Sequence, residues 1–377
     1  MPIYFDHNAT TPLDPRVLEA MLPYLRGAYG NASSVHRYGR AARAAIEAAR
    51  VQVAAWVGAE PAQLIWTSGA TESNNLALKG VAASATKKSR VLYGATEHPA
   101  VLEAALALAE AGWGVETIAV DGDGIVDWPT YTAQLSAAPV CLVALMAANN
   151  ETGVIQDTAR AATLAHAAGA LMHIDAVQAA GKIDIDFAAS GADLMSVSAH
   201  KVYGPKGIGA LIVGADVELQ PQQRGGGQEH GRRGGTENLP AIVGFGIAAE
   251  LAGEERAARA AATLALRLRL EAGLRQVPDV TVFAESAPRL PNTVQFGLLG
   301  WEGEALLMAL DRAGIAVSSG SACASGSGEP SHVLLGMGLP REIAYRAVRV
   351  SLGPGNTDAE IDRFLSELSA LRLQAAA

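Results

Sequence analysis

The chain has 377 residues, of which 50% are hydrophobic and 18% are charged, and its net charge is −9. This apolar content excludes a disordered chain, and the negative charge argues against general nucleic-acid binding. Cys141 and Cys323 cannot form a disulfide framework, and neither a membrane helix nor a signal peptide is expected. We therefore expect a cytoplasmic globular protein of about two domains.

The first two-thirds of the chain alternates short apolar runs with helical patterns. Strands are predicted at 64–66, 90–93, 115–120, 140–147, 171–174, 194–197 and 208–213. A helix is predicted to start at Pro15, and others at 40–57, 76–81, 99–111 and 159–168, with a turn at 68–75. This alternation is typical of an α/β domain with a mostly parallel sheet and helices on both faces.

The pattern changes at about residue 239. A long or broken helix is predicted at 239–275, and a closing helix at 358–373. Between them lie predicted strands at 280–283, 293–296, 316–317 and 345–352, a helix at 302–312 and a Ser/Gly-rich loop at 318–331. We predict an N-terminal arm at 1–15 that packs with the small domain, a large domain at 16–255 and a smaller α+β domain at 256–377.

Two predicted strands end in polar residues that could bind one cofactor together. Asp175 ends one buried strand, and Ser198, His200 and Lys201 follow the next one. The carboxyl ends of parallel strands are where open α/β sheets bind ligands. A lysine facing an aspartate there suits pyridoxal phosphate (PLP), because the amine forms a Schiff base and the carboxylate pairs with the protonated pyridine nitrogen. Ser198 and His200 can donate to the phosphate.

A phosphate cradle is predicted at residues 68–73, which follow a strand and open a helix. Gly69 allows close backbone approach, and the helix N-terminus favours an anion. This segment is neither a Walker loop nor a dinucleotide fingerprint. The eight histidines show no paired spacing of the metal-ligand type, so no metal site is expected. A lone lysine or aspartate is usually structural, so the prediction depends on their joint occurrence.

Ordered motifs along nearly the whole chain resemble the cysteine desulfurases of the NifS/IscS type, which are fold-type I PLP-dependent enzymes. The motifs lie at 4–12, 30–36, 67–72, 96–98, 149–153, 175–178, 198–201, 233–236, 318–323 and 349–353. Two positions depart from the family pattern. Ala32 stands where proline is frequent, and Pro354 follows Ser-Leu-Gly where arginine is common. Both lie outside the predicted chemistry.

The resemblance implies a fold-type I large domain with a sheet of the seven-stranded type, and PLP as the cofactor. It implies that Lys201 forms the Schiff base, Asp175 holds the pyridine nitrogen and Gln178 the ring hydroxyl. Its implied phosphate ligands are Ala70, Thr71, Ser198 and His200. Further implied roles are ring stacking and proton shuttling for His98, substrate carboxylate binding for Asn150 and Arg349, and, for Thr236, contact with the phosphate of the partner subunit in a homodimer.

Cys323 lies in the Ser/Gly-rich loop, which is too polar to be core, so its thiol is expected to be accessible. The resemblance implies that Cys323 is the nucleophile that takes sulfur from L-cysteine, leaving L-alanine and a persulfide. An iron–sulfur scaffold protein or another acceptor would then receive the sulfur. The alternatives are an aminotransferase, a selenocysteine lyase, a C–S β-lyase or a scaffold-type delivery protein whose main role is to dock partners. Cys141, in an apolar run, is expected to be a core thiol.

Overall fold

The computed structural model describes residues 2–319 and 329–375, so Cys323 lies outside the described residues. Its strands are β1 (Ile3–Tyr4), β2 (Leu64–Thr67), β3 (Arg90–Gly94), β4 (Gly114–Ile118), β5 (Val140–Met146), β6 (Leu171–Asp175), β7 (Leu194–Ser198), β8 (Gly209–Val213), β9 (Val280–Val282), β10 (Thr293–Leu298), β11 (Ile315–Ala316) and β12 (Ala347–Ser351).

The helices alternate with the strands in the first part of the chain, and four further helices among the described residues follow or separate the later strands. They are α1 (Pro15–Arg26), α2 (Arg37–Trp56), α3 (Ala70–Ser84), α4 (Pro99–Glu110), α5 (Trp128–Ala137), α6 (Thr158–Ala167), α7 (Phe187–Ser190), α8 (Leu239–Leu274), α9 (Gly303–Arg312), α10 (His332–Gly336), α11 (Arg341–Ala344) and α12 (Asp358–Ala375). No helix in the described ranges is long and apolar enough to cross a membrane.

The main sheet has seven strands in the order β2-β8-β7-β6-β5-β3-β4 within the described residues. Strand β8 is antiparallel to both of its neighbours, and the other pairings are parallel. Two antiparallel steps restore the direction, so β2 runs the same way as β7. The prediction of a mostly parallel α/β sheet is confirmed, and the carboxyl ends of six strands meet at one edge.

A smaller sheet in the order β12-β10-β9 is antiparallel and packs with α9 and α12. Strand β1 pairs in parallel with β11, and Phe5 is buried in the core of this small unit. Residues 5–8 then pass from the small unit toward the carboxyl edge of the main sheet. The arm therefore joins both units at the place where the strand ends converge.

Helix α8 is continuous over 36 residues, and its two halves belong to different cores. The first half, up to Ala252, packs in the core of the main sheet, whereas Leu266, Leu270 and Leu274 pack in the core of the small sheet. The predicted boundary at residue 255 falls between these two sets, inside the helix. The domain limits stay a prediction.

Two local predictions were wrong. Residues 70–75 are helical rather than part of a turn, because their turn-forming side chains are satisfied in the helix. Ser73 Oγ hydrogen-bonds Thr67 Oγ1 at 2.8 Å, and Asn74 Nδ2 donates to the buried carboxylate of Asp175.

Helix α5 was missed although Asp127 caps it and Pro129 occupies its first turn. Its apolar periodicity is weak, so these capping residues were the available signal.

Candidate active site

A cavity of about 560 Å³ opens at the carboxyl edge of the main sheet. Strands β3, β5, β6 and β7 each deliver a polar residue to it at or just after their last residue. The arm closes one side of the cavity, and β12 of the small sheet supplies Arg349. The residues that line it include Asn8, Thr10, Ala70, Thr71, His98, Asn150, Asp175, Gln178, Ser198, His200, Lys201 and Arg349.

One corner of the cavity is built for an anion. Helix α3 begins there with Gly69 as its N-cap residue, at a φ of 153° that side-chain-bearing residues rarely adopt. The first N–H groups of a helix have no intrahelical partner and carry partial positive charge. Gly209 on β8 faces the same turn, and a Cβ there would lie 2.8 Å from Gly69 Cα. Both glycines therefore keep the cradle open.

Two further donors face this corner. Ser198 Oγ is buried and has no hydrogen-bond partner within the described residues. His200 Nδ1 lies 3.2 Å from Thr10 Oγ1. Burial lowers the pKa of His200 to about 4, and the nearby charges of Lys201 and Lys206 act in the same direction. The imidazole is therefore neutral at neutral pH, and one of its two ring nitrogens carries a proton that it can donate.

Asp175 presents a carboxylate at the end of β6. It is only 6% exposed, and its Oδ2 accepts from Asn74 Nδ2 at 2.7 Å. Its Oδ1 accepts from the backbone N–H of Val177 at 3.0 Å. These two donors fix the carboxylate plane and leave lone pairs for a cationic N–H in the cavity. Sequence reasoning identified Asp175 but missed Asn74, although Asn74 lies within the predicted turn at 68–75.

Lys201 lies in a short 3-10 turn that follows β7. Its Nζ donates to the backbone carbonyls of Asn8 and Ala9, at 2.8 Å for Ala9. Both carbonyls belong to the arm, so the arm positions the reactive amine.

His98 caps helix α4 at the end of β3, and its Nδ1 accepts from Ala100 N at 3.1 Å. The Nε2 atom is therefore the one that can exchange a proton in the cavity. Burial lowers the pKa of His98, although Asp175 opposes this effect. The preceding Glu97 is buried, and desolvation together with Asp175 raises its pKa well above the usual value. Its Oε1 accepts from Met146 N at 2.6 Å.

Both the oxygen and the nitrogen of the Gln178 side-chain amide form hydrogen bonds. Its Nε2 donates to the carbonyl of Asn8 at 2.9 Å, and its Oε1 accepts from Lys182 Nζ at 2.6 Å. Asn8 is 1% exposed and also donates from Nδ2 to the carbonyl of Asn150 and to Thr293 Oγ1. It therefore links the arm to both sheets.

Arg349 is 1% exposed and is held from two sides. Its Nη1 donates to the carbonyl of Asn150 at 3.0 Å, and its Nη2 donates to Asp6 Oδ1 at 2.7 Å. The Nε atom has no hydrogen-bond partner among the described residues. The guanidinium group is thus fixed in the cavity wall with donor capacity left for an anionic ligand.

The structure brings together most of the predicted site residues. Ten of them line this one cavity: Ala70, Thr71, His98, Asn150, Asp175, Gln178, Ser198, His200, Lys201 and Arg349. Thr236 lies in an exposed loop outside the cavity of its own chain, and Cys323 lies outside the described residues. Asn8 and Asp6 were not singled out, although both belong to the motif at 4–12.

The chain matches the aminotransferase class-V family over residues 3–364. It is 48% identical over 367 residues to the cysteine desulfurase IscS of Anaeromyxobacter dehalogenans, with 96% of this chain and 90% of that protein covered. The chain belongs to the cysteine desulfurases of the NifS/IscS type. A cysteine desulfurase of Cereibacter sphaeroides is also 48% identical, with 97% of this chain and 94% of that one covered. The family assignment from sequence is confirmed.

Solved structures agree with this assignment. A NifS-like protein superposes with a TM-score of 0.92 at 38% identity, covering 98% of this chain and 99% of that one. A structure described as SspA in complex with cysteine superposes with a TM-score of 0.82 at 32% identity, covering 94% of this chain and 100% of that one. The fold is that of the fold-type I PLP-dependent enzymes, as predicted, and the chain is a PLP-dependent enzyme.

The cavity fits PLP on its own geometry. The phosphate would lie against the start of α3, where Gly69 leaves room and the unpartnered Ser198 Oγ supplies a buried donor. Asp175 would face the pyridine nitrogen, and Lys201 would reach the aldehyde carbon. Within the described residues no group of three or more His, Cys, Asp or Glu side chains could hold a metal ion.

Proposed function

We propose that this cysteine desulfurase removes the sulfur of L-cysteine as a persulfide on Cys323 and leaves L-alanine. The observation that supports it most is the convergence of Lys201, Asp175 and Arg349 on one cavity. These three residues supply an amine, a carboxylate for a cationic ring nitrogen and a carboxylate-binding guanidinium. An amino acid bound by its carboxylate would thus lie beside the amine that removes its α-proton.

PLP, when bound, supplies an aldehyde that combines with amines and a ring that accepts electrons. Asp175 keeps a proton on the pyridine nitrogen, because the pair of a buried carboxylate and a cationic N–H is charge-assisted. Lys201, whose side chain lines the cavity, is placed to take the α-proton of the substrate at Nζ. His98 Nε2, on a neutral imidazole, is placed to accept and return a proton.

Arg349 binds the α-carboxylate and sets which amino acid atoms face the small sheet. Strand β12, which carries Arg349, pairs with Ser318, two residues before the segment 320–328 that contains Cys323. The backbone N–H of Ser318 donates to the carbonyl of Arg349 at 3.1 Å, and the backbone N–H of Arg349 donates to the carbonyl of Ser318 at 2.7 Å. The backbone that leads into residues 320–328 is therefore tied to the residue that would hold the substrate.

The other end of that segment is also anchored near the cavity. Ser331 caps α10 and donates from Oγ to Glu151 Oε2, and His332 Nε2 lies 2.8 Å from the carbonyl of Glu97. Both described ends of the segment that carries Cys323 therefore contact residues beside the site. This placement supports the assignment of Cys323 as the nucleophile.

The sulfur step balances without an external oxidant or reductant. The thiolate of Cys323 bonds to the sulfur of cysteine as the bond from that sulfur to Cβ breaks, and Cβ gains a proton to become the methyl group of alanine. One cysteine and one enzyme thiol give one alanine and one enzyme persulfide. We propose that the persulfide sulfur then passes in the cytoplasm to an iron–sulfur scaffold protein, which the name IscS of the similar protein suggests.

We propose that the active unit is a homodimer in which Thr236 reaches the phosphate of the partner subunit. The loop that carries Thr236 is tied to the start of α3, because Arg233 Nε donates to Glu72 Oε1 at 2.8 Å. Leu25, Tyr29 and Val35 are exposed apolar side chains that a partner could cover, with Val35 87% exposed. A second copy of the chain would bury such residues.

Mixing two defective variants tests the dimer. Lys201→Ala and Thr236→Ala homodimers are each expected to lose activity, but a mixed dimer would have one site with both Lys201 and Thr236 intact. Co-refolded or co-expressed mixtures should therefore regain activity. If Thr236 served its own chain, every site in the mixture would be defective and no activity would return.

The cofactor and substrate are tested together on the purified enzyme. Its absorption spectrum should show bound PLP that borohydride fixes to Lys201, and L-cysteine should yield one alanine for each sulfur released. The matched control is Lys206→Ala, which removes a lysine at the cavity lining and keeps Lys201. Borohydride fixation at a lysine other than Lys201 would contradict the assignment.

A further inference from the structure

Lys182 places an amine directly behind the cavity, and the proposed reaction does not use it. Its Nζ donates to Gln178 Oε1 at 2.6 Å and to Asn8 Oδ1 at 2.8 Å. Both acceptors are neutral amide oxygens. No carboxylate lies within ion-pair distance of this amine in residues 2–319 and 329–375. A lysine placed on two amide groups, rather than on a carboxylate, points to a role in orienting those amides.

The contact determines which end of the Gln178 amide faces the cavity. An ammonium group here only donates and the Asn8 carbonyl only accepts, so Oε1 faces Lys182 and Nε2 faces Asn8. The Nε2 group then lies toward the Asn8 carbonyl, which it meets at 2.9 Å, and one N–H remains. Gln178 lines the cavity, and this remaining N–H is the donor that its amide can offer there. Rotating the amide by half a turn would set two acceptor oxygens against each other at Asn8 and two donors against each other at Lys182.

A donor at this position suits an oxygen substituent that carries negative charge. The proposed function places Gln178 at the ring hydroxyl of PLP, whose oxygen accepts hydrogen bonds when ionised. An amide presented the other way round would repel it. The orientation of one side-chain amide therefore decides whether Gln178 strengthens or weakens cofactor binding.

We propose that Lys182 is a positioning residue that acts through Gln178, holding the amide so that its N–H faces the oxygen substituent of the cofactor ring. This inference rests on the proposed role of Gln178. Asn8 is the second anchor of the same arrangement, because its carbonyl and its Oδ1 receive one bond from each partner. Lys182 and Gln178 contact each other, and both contact Asn8.

The contacts can form in either charge state of the amine, and with a neutral amine the Asn8 carbonyl, which only accepts, still keeps Nε2 on its side. Burial lowers the pKa of Lys182 well below the ordinary lysine value, and the cations Lys201 and Arg349 lower it further. A neutral amine still has two N–H groups, which is the number that Gln178 and Asn8 accept. Part of the Lys182 side chain lines a second, water-sized cavity of about 30 Å³ between the two sheets, together with Lys201 and Asn292.

Lys182 also connects the arm to the large unit through Asn8. The test must therefore separate this structural role from the positioning of Gln178. The measured quantity is the dissociation constant of PLP, obtained by titrating PLP into the full-length apoenzyme and following absorbance. Lys182→Met should weaken PLP binding by about three- to tenfold, the effect of one lost hydrogen bond. Lys87→Met, at an exposed lysine far along the chain, is the matched control and should bind PLP as the wild type does.

A double-mutant cycle with Gln178→Ala decides between the roles. Because Lys182 acts through Gln178, Lys182→Met should change PLP affinity less than about twofold in the Gln178→Ala background. Lys182→Gln keeps a side-chain donor and should restore part of the affinity. Lys182→Ala, which also removes the donor, replaces Lys182→Met in the cycle if that variant does not fold. Thermal unfolding of each variant reports the structural contribution separately.

Three results would overturn the inference. An unchanged PLP affinity in Lys182→Met would show that the amine does not position Gln178. An equal loss in the wild-type and Gln178→Ala backgrounds would show that Lys182 acts through the fold, and the proposed function would stand. Normal PLP affinity in Gln178→Ala would instead remove the proposed role of Gln178 and the inference with it.

Discussion

Asp6 and Arg349 form an ion pair of 2.7 Å between the N-terminal arm and strand β12 of the small sheet. Arg349 is almost fully buried, whereas the Asp6 side chain is 21% exposed. The pair connects the two sheet units at the wall of the cavity. It also fixes the guanidinium plane before a ligand arrives, which reduces the ordering required on binding.

Replacing Arg349 with lysine should raise the KM for L-cysteine by about tenfold or more, or about 1.4 kcal/mol of lost binding. A single ammonium group cannot contact Asp6, the Asn150 carbonyl and a substrate carboxylate with the geometry of a planar guanidinium. Steady-state kinetics on the loaded enzyme measure the effect, with Arg346→Lys outside the cavity as the control. An unchanged KM, with substrate binding at equilibrium, would place the carboxylate site elsewhere.

Asp175→Asn should retain PLP but lower kcat by about 100-fold or more, the size of effect seen when one preorganised electrostatic partner is removed. The amide cannot keep a proton on the pyridine nitrogen, yet its one oxygen can still accept from either Asn74 or Val177. Cofactor content and kcat are measured on the same preparation. Asp157→Asn, which caps α6 away from the cavity, is the control. Near-normal turnover would refute the role of Asp175.

The buried His173 should make the protein less stable in mild acid. Burial lowers its pKa to about 4, with Asp175 opposing, and its Nε2 bonds Ser196 Oγ at 3.0 Å. The unfolded chain therefore binds a proton between about pH 6.5 and pH 4 that the folded chain does not, so the free energy of unfolding falls as pH falls. One such histidine accounts for about 2 kcal/mol at pH 5.

Urea unfolding between pH 7 and pH 5 measures this loss. His173→Gln, which can still bond Ser196, should show a shallower decline of the free energy of unfolding than the wild type. His230→Gln, at an exposed position, should follow the wild-type decline. Equal slopes for His173→Gln and the wild type would rule out His173 as a source of the acid sensitivity.

The sequence predicted the sheet and its ligand-binding edge because both depend on local patterns. Alternating apolar runs and helices specify a mostly parallel sheet, and polar residues at strand ends then fall on one edge. Asp175 and Lys201 could be paired on that reasoning alone. The length of α8 was also predictable, since its helical pattern continues across the proposed boundary at residue 255.

The contacts made by the arm could not be predicted in this way. Asn8 contacts Thr293 across 285 positions of the chain, and Asp6 contacts Arg349 across 343. No periodicity connects such distant residues, because the contacts depend on how the small unit docks against the large one. Lys182 had a weak local signal, since it follows Gln178 by four positions, but a lysine in a turn is usually solvated.

The central claim is that Cys323, and not the strand thiol Cys141, takes the sulfur of L-cysteine. The most direct measurement is mass spectrometry of digested enzyme after incubation with L-cysteine, combined with the rate of alanine release for Cys323→Ser and for the control Cys141→Ser. We predict one added sulfur on the peptide that contains Cys323, none on Cys141, and loss of alanine release only in Cys323→Ser, because a serine hydroxyl is neither ionised nor thiophilic at neutral pH. Alanine release at the wild-type rate by Cys323→Ser would contradict the account and favour the aminotransferase or lyase alternatives.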